Sequence, residues 1–460
     1  MISASTRQTV NWAAPRKIAV PAFEALDSAN ATRAPGCAKR VSPNGSVGWN
    51  WTSTPFIRPR GTPAVDFLAE AKRIEPELIR TRRVLHQHPE LSYRETWTSK
   101  FVADRLEALG ISVKRGVGGN GVVGILKGSA EGSVVALRAD MDALPVTEAA
   151  DVDFKSKTDG VMHACGHDTH MAMLLGAAEI LARAKVELHG TVKFFFQPAE
   201  EHGGKGGALP MIEDGAMLDP KVDYVFGLHI DGDRKAGEFG VREGPVMAAP
   251  DSFSIRIKGK GGHGSAPHKT VDPVYIAANV ILGLQGISSR MMDPVRPFVI
   301  TVGSVHSGTK ENIIPDYAEL NGTIRTLDEE TRKAAKKRVA KVVEGICRSY
   351  GGSAEVEFER DAYPVTVNDP KATEQAVKLL RKIRGAKVKR MEPILGGEDF
   401  SRFLQKAPGM FYFLGAANAA KGCVYPNHSS RFKVDEDTLK FGVASLALLA
   451  SEFGKMGTSR

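Results

Sequence analysis

The rhythm of this chain breaks once and then resumes, and that break constrains the fold more than any other feature. From Pro63 apolar residues recur at helical spacing through "AVDFLAEAKRIEPELIRTRRVLHQHPEL" and "ETWTSKFVADRLEALG". Three β-like runs follow, "ISVKRGV", "GVVGILKG" and "SVVALRADMDALP". Next come the helix "THMAMLLGAAEILARA", the strand "TVKFFFQPAEE", a helix near "GALPMIEDGAM" and the strand "VDYVFGLHI". Alternation of this kind predicts an α/β sandwich with a mixed sheet buried between helices. From about Ala248 the pattern changes to strand–helix–strand–strand–helix–strand, from "DSFSIRIKGK" to "SAEVEFERDAY". That order is the ferredoxin-like (βαββαβ) unit. Helix–strand alternation returns at Asp369. The expected organisation is a discontinuous domain over 63–247 and 364–455, a ferredoxin-like domain inserted at 248–363, and an extension over 1–62.

The extension separates charge from function. The chain carries a net +9, but residues 1–60 hold eight Lys and Arg against only Glu24 and Asp27, so the body is not notably basic. Nucleic acid is not an expected partner. The head is rich in Ser, Thr, Pro and Arg without periodicity, which reads as a disordered tail. An organelle transit segment or an upstream start codon are the alternatives. No apolar run approaches the roughly 20 residues that span a bilayer, so no membrane is expected. Four scattered cysteines, Cys37, Cys165, Cys347 and Cys423, make no disulfide framework and fit a reducing, cytoplasmic setting.

Side chains that bind metals gather after the strands of the first domain, where open α/β sheets build sites. "GVMHACGHDTHMAML" places His163, Cys165, His167 and His170 within eight positions. Glu200 and Glu201 follow "KFFFQPA", His229 ends "VDYVFGLH", and His428 sits in "YPNHSSRF". Singly, each has an ordinary reading: a buried thiol, a solvated acidic pair, a core histidine. Together, sulfur, nitrogen and oxygen donors from four loops suit one or two divalent ions. "GKGGHGSAPH" is glycine-rich but lacks the Lys-Ser/Thr of a phosphate-binding loop.

The runs "GVMHACGHDTHMAMLLGAA", "FFFQPAEE", "FGLH", "GKGGHGSAPH", "NIIPDYAELNGTIRT" and "GGEDF" resemble the co-catalytic metallo-amidohydrolases related to aminoacylase and carboxypeptidase G. The nearest branch holds hippurate hydrolases, N-acyl-amino-acid amidohydrolases and auxin-conjugate hydrolases. The resemblance runs from about residue 65 to 450 and leaves out the basic head. It implies metal ligation by Cys165, His167, Glu201, His229 and His428, with Cys165 a thiolate bridging two cations (Zn, Mn, Co or Ni). It implies Glu200 as general base and Asp142 as a residue orienting a ligand. It casts residues 248–363 as a lid and dimerisation domain bringing His263 and Asn312 to the reaction and Arg325 to the substrate's carboxylate. His163 and His170 are left with supporting or structural roles, and a homodimer is expected.

The chemistry suits such a set. An amide resists neutral water, and a bound cation lowers a water pKa from 15.7 to roughly 7. A carboxylate beside a ligand is placed to carry the water's proton to the leaving amine. The expected activity is therefore hydrolysis of an N-acyl amino acid, hippurate-like first, with N-acetyl amino acids and acyl-diaminopimelate next. A dipeptidase or carboxypeptidase on the same scaffold, a thiol hydrolase using Cys165 and a non-catalytic binding protein are the rivals.

Overall fold

The computed structural model of the protein describes residues 65–457. The expectation for residues 1–62 lies outside them.

Successive phenylalanines show how the main sheet is buried on both sides. Phe194 and Phe196 enter one apolar core, and Phe195 between them enters another. The same alternation separates Val135 and Leu137 from Ala136, and Met410, Tyr412 and Leu414 from Phe411 and Phe413. Side chains of a strand alternate with period two, so a run apolar on both phases is stable only when helices cover both faces. One face is covered by Phe67–His86, Thr96–Ala108, His167–Arg183 and Leu439–Gly454. The other packs on Ala208–Glu213 and Ser401–Leu404.

The sheet has eight strands, in the order Ser112–Val117, Gly121–Lys127, His189–Gln197, Ala130–Asp140, Tyr224–Lys235, Gly409–Ala417, Glu238–Val241 and Lys387–Arg390. Four neighbours at its centre, from His189–Gln197 to Gly409–Ala417, run parallel. The outer pairings are mostly antiparallel, and the mixed sheet expected from the sequence is present. Register places Asp140 level with Gln197, and Phe413 level with His229. The carboxyl ends of the parallel strands therefore open onto one edge.

A second sheet of four antiparallel strands lies between the two halves of the first in sequence. Its order is Phe298–Ser307, Tyr317–Thr326, Ala249–Lys258 and Ser353–Phe358. Phe253, Ile255 and Ile257 alternate onto the helices Pro273–Arg290 and Glu329–Ser349, forming a third core. Both helices start on an aspartate, Asp272 and Asp328, whose carboxylate accepts first-turn N–H groups.

Candidate metal centre

The expected ligands come from four separate segments of the chain. Gly166 has φ of 93° and separates Cys165 from His167, the first residue of its helix. A Cβ at Gly166 would stand 2.4 Å from Ile230 Cγ2, so only glycine allows this turn. Gly166→Ala is expected to destabilise the fold by about 1–3 kcal/mol and to weaken metal binding, as read by thermal unfolding and metal titration. Wild-type affinity in a destabilised variant would show that the turn does not set the ligands.

The strand His189–Gln197 runs out through Pro198 into a single 3-10 turn, Glu200–His202. His229 lies on Tyr224–Lys235. His428 arrives on a loop with φ of 68°, its N–H donating to Ala164 O at 2.8 Å. Asn427 fastens that loop: Nδ2 donates to Cys165 O at 2.8 Å, and Oδ1 accepts from Gly232 N–H at 2.9 Å.

The donors converge on one sulfur. Cys165 Sγ lies 3.3 Å from His229 Nε2 and 3.3 Å from His428 Nε2. His428 Nε2 stands 3.3 Å from Glu201 Oε1, and His167 Nε2 stands 3.9 Å from the same oxygen. Two triads, Cys165–His167–His229 and Cys165–Glu201–His428, have donor atoms within 4.8 Å of one another and share the thiol. His167 Nδ1 meets Asp142 O at 2.9 Å and His229 Nδ1 meets Ile230 O at 2.7 Å, so in the neutral ring each keeps its proton on Nδ1 and leaves Nε2 as the acceptor. His167 Nε2 and Glu201 Oε1 are buried with no hydrogen-bond partner among the described residues. Burial and the Glu201 and Glu200 carboxylates push the Cys165 thiol well up, the reverse of nucleophile activation. Unpaired acceptors, a thiol and carboxylates crowded together fit divalent cations.

The supporting residues are now defined. Asp142 Oδ2 accepts the Glu201 N–H at 2.9 Å and its Oδ1 lies 3.3 Å from His167 Nδ1. His170 is saturated: Nδ1 meets Asp140 Oδ1 at 2.5 Å and Nε2 accepts from Ile230 N–H at 2.8 Å. Both of its ring nitrogens are engaged in these contacts, although it also falls within 4.8 Å of Asp140 and His167 in a third group of donors. His163 is buried with neither ring nitrogen partnered among the described residues, and burial pulls it down to about 4. His86, read from the sequence as ordinary, is buried and bonded to Asp168 Oδ2 at 2.8 Å and Glu148 Oε1 at 3.1 Å.

Beside the triads lies an ionic knot that the sequence reading missed. Arg138, fully buried, donates to Asp140, Gln197, Glu398 and Asp399 at 2.6–3.0 Å. Glu200, Glu398 and Asp399 bring their carboxylates within 4.8 Å of one another. Burial, then Glu398 and Glu201, push the Glu200 carboxyl well up. Charged residues inside "VVALRADMDALP", a run patterned for a buried strand, were the available signal.

A cavity of about 700 Å³ opens over the cluster, lined by Cys165, Glu200, Glu201, His229 and His428 at one end. Arg325 lines it too, half-buried and without an ion pair among the described residues, whereas Arg234 nearby is bound to Asp231 and Glu238. Met247, Pro250, Met391 and Ile394 form an apolar wall. His263 and Asn312 are brought to each other but not to this cavity. They lie on an exposed two-stranded ribbon, where His263 pairs with Ile313 and Gly264 N–H donates to Asn312 O at 2.8 Å.

Residues 136–452 match peptidase family M20/M25/M40. The chain belongs to that family. The resemblance in its motifs is thereby borne out, and the protein is an M20 hydrolase with a candidate metal site. Thermostable carboxypeptidase 2 of Saccharolobus solfataricus is 56% identical over 385 residues, covering 84% of this chain and 97% of its own. The hippurate hydrolase of Campylobacter jejuni is 37% identical over 397 residues, 85% of this chain and 100% of its own. Among solved structures of the family, the Bacillus subtilis YXEP protein, a dinuclear metal-binding peptidase, is similar at a TM-score of 0.73. It is 37% identical, over 83% of this chain and 98% of that one. Among the described residues no helix is long and apolar enough to cross a membrane.

Proposed function

We propose that this M20 hydrolase is a divalent-metal-dependent amidohydrolase that cleaves N-acyl amino acids, hippurate-like compounds first, to a carboxylic acid and a free amino acid. The observation that carries the reading is one cavity lined by Cys165, Glu201, His229 and His428 of the thiol-centred triads, by the buried Glu200 and by Arg325. Cys165, His167, Glu201, His229 and His428 would hold two cations. When bound, these would acidify a water and polarise the amide carbonyl. Glu200 takes the water's proton and returns it to the amide nitrogen as the C–N bond breaks and the C–O bond forms. Arg325 receives the substrate's terminal carboxylate, for which a planar fork of donors is suited. The apolar wall of Met247, Met391 and Ile394 suits an aromatic or aliphatic acyl group. The four-stranded insert serves as lid and homodimer contact, and through it His263 and Asn312 would reach the reacting carbonyl.

The second reading is a carboxypeptidase, favoured by the 56% identity to the Saccharolobus carboxypeptidase. Both readings require an amide beside a free carboxylate, and they differ in what precedes it. Turnover of N-benzoyl, N-acetyl and indole-acetyl amino acids, beside blocked and free dipeptides on metal-loaded enzyme, separates them. Faster cleavage of dipeptides would overturn the first reading.

Arg325→Ala is expected to raise KM for carboxylate substrates by about 10–100-fold, the loss of a charge-assisted pair of about 1.5–3 kcal/mol. Substrate methyl esters should be nearly indifferent. An equal effect on esters would remove the carboxylate role.

A further inference from the structure

The run "YPVTVNDP" begins with Tyr363, which touches the turn that carries Glu200. Tyr363 lies on the segment returning from the inserted sheet to the main one, is 5% exposed and lines the cavity. Its hydroxyl donates to Glu200 O at 2.7 Å and accepts from Gly203 N–H at 3.0 Å. The only proton of that hydroxyl is thus committed to a backbone carbonyl, which leaves none for a substrate.

The turn needs such holding. It is one turn long, so its backbone groups find no partners within a longer helix. It opens on Ala199, with φ of 53°, and closes on Gly203, with φ of 74°. A left-handed alanine persists where its surroundings over-determine it. Three side chains do so here. Glu95 Oε1 accepts the Ala199 N–H at 2.8 Å, Asp142 Oδ2 accepts the Glu201 N–H at 2.9 Å, and Tyr363 spans the turn from Glu200 to Gly203.

Of the three, Tyr363 alone follows the inserted sheet. The backbone just before it is gripped from both sides. Arg332, on the insert's helix Glu329–Ser349, donates to Ala362 O at 3.1 Å. Arg402, beside the Glu398–Asp399 pair, donates to Asp361 O at 2.7 Å. We propose that Tyr363 is a positioning residue: by bridging the Glu200 carbonyl and the Gly203 amide it fixes the turn that aims the Glu200 carboxylate, and it ties that turn to the inserted sheet. The proposal rests on the reading of Glu200 as general base.

Tyr363→Phe removes one oxygen and keeps the ring. It is expected to lower kcat by about 10–100-fold while KM stays within about threefold and metal content stays near that of the parent, with Tm lower by a few degrees for the two hydrogen bonds lost. Tyr93→Phe serves as control, since the Tyr93 hydroxyl donates to Gly206 O at 2.7 Å in the neighbouring loop. It should keep kcat within about twofold. Combined with Glu200→Gln, Tyr363→Phe should cost nothing further, because no base remains to be aimed. A normal kcat in Tyr363→Phe, a full further loss on top of Glu200→Gln, or loss of metal in the phenylalanine variant would each overturn the proposal. Should Glu200→Gln itself keep turnover, the base reading falls and takes the proposal with it. Glu200→Gln inactive beside Tyr363→Phe active sinks the tyrosine role alone.

Discussion

Glu200→Gln is expected to keep the metal content of the protein and to lower turnover by about 10²–10⁴-fold, the range of a lost general base. The amide keeps the size of the side chain but accepts no proton. Glu200 is buried, shares its surroundings with Glu398 and Asp399, and lies next to Glu201 in a single turn. Elemental analysis alongside steady-state kinetics checks both halves of the expectation. Metal retained with turnover lost identifies a proton carrier. Full activity would exclude Glu200 from that role, and metal loss would make it a ligand instead.

Cys165→Ala should do the opposite and act on the metal first. The thiol is the one atom common to both triads, so its removal takes a donor from each. Loss of a residue that merely orients a ligand costs about 10–100-fold in metal affinity or activity, and loss of a shared ligand should exceed that. The metal stoichiometry should fall below that of the parent, and excess metal should restore at most a fraction of the activity. Unchanged stoichiometry would contradict ligation. If activity vanished at full metal occupancy, the thiol would instead be a nucleophile.

The sequence showed most of the fold because its strands and helices carry their own periods. "KFFFQPA" and "VDYVFGLHI" are apolar on both phases, and both became strands of the parallel centre of the sheet. The candidate ligands were legible because thiol, imidazole and carboxylate donors recurred in four short motifs set among strongly apolar segments. What stayed hidden depends on register between distant segments. Arg138 meets Glu398 across 260 residues, and Asn427 meets Cys165 across 262, contacts that no local pattern encodes. His263 and Asn312 show the converse. Their motifs matched relatives well, but a motif carries no statement of which other residues it will line up with, and neither residue lines the cavity.

The late arrival of one strand has a consequence for how the protein is made. Gly409–Ala417 sits inside the main sheet, paired with Tyr224–Lys235 on one side and Glu238–Val241 on the other. A ribosome must therefore release the whole insert before the two neighbours of that strand can be joined. Until then both offer open edges of the sort that recruit stray chains. His428 emerges later still, so the second triad is completed only after the sheet's centre can close. A nascent chain stalled in the insert would therefore present open strand edges with the second triad still incomplete.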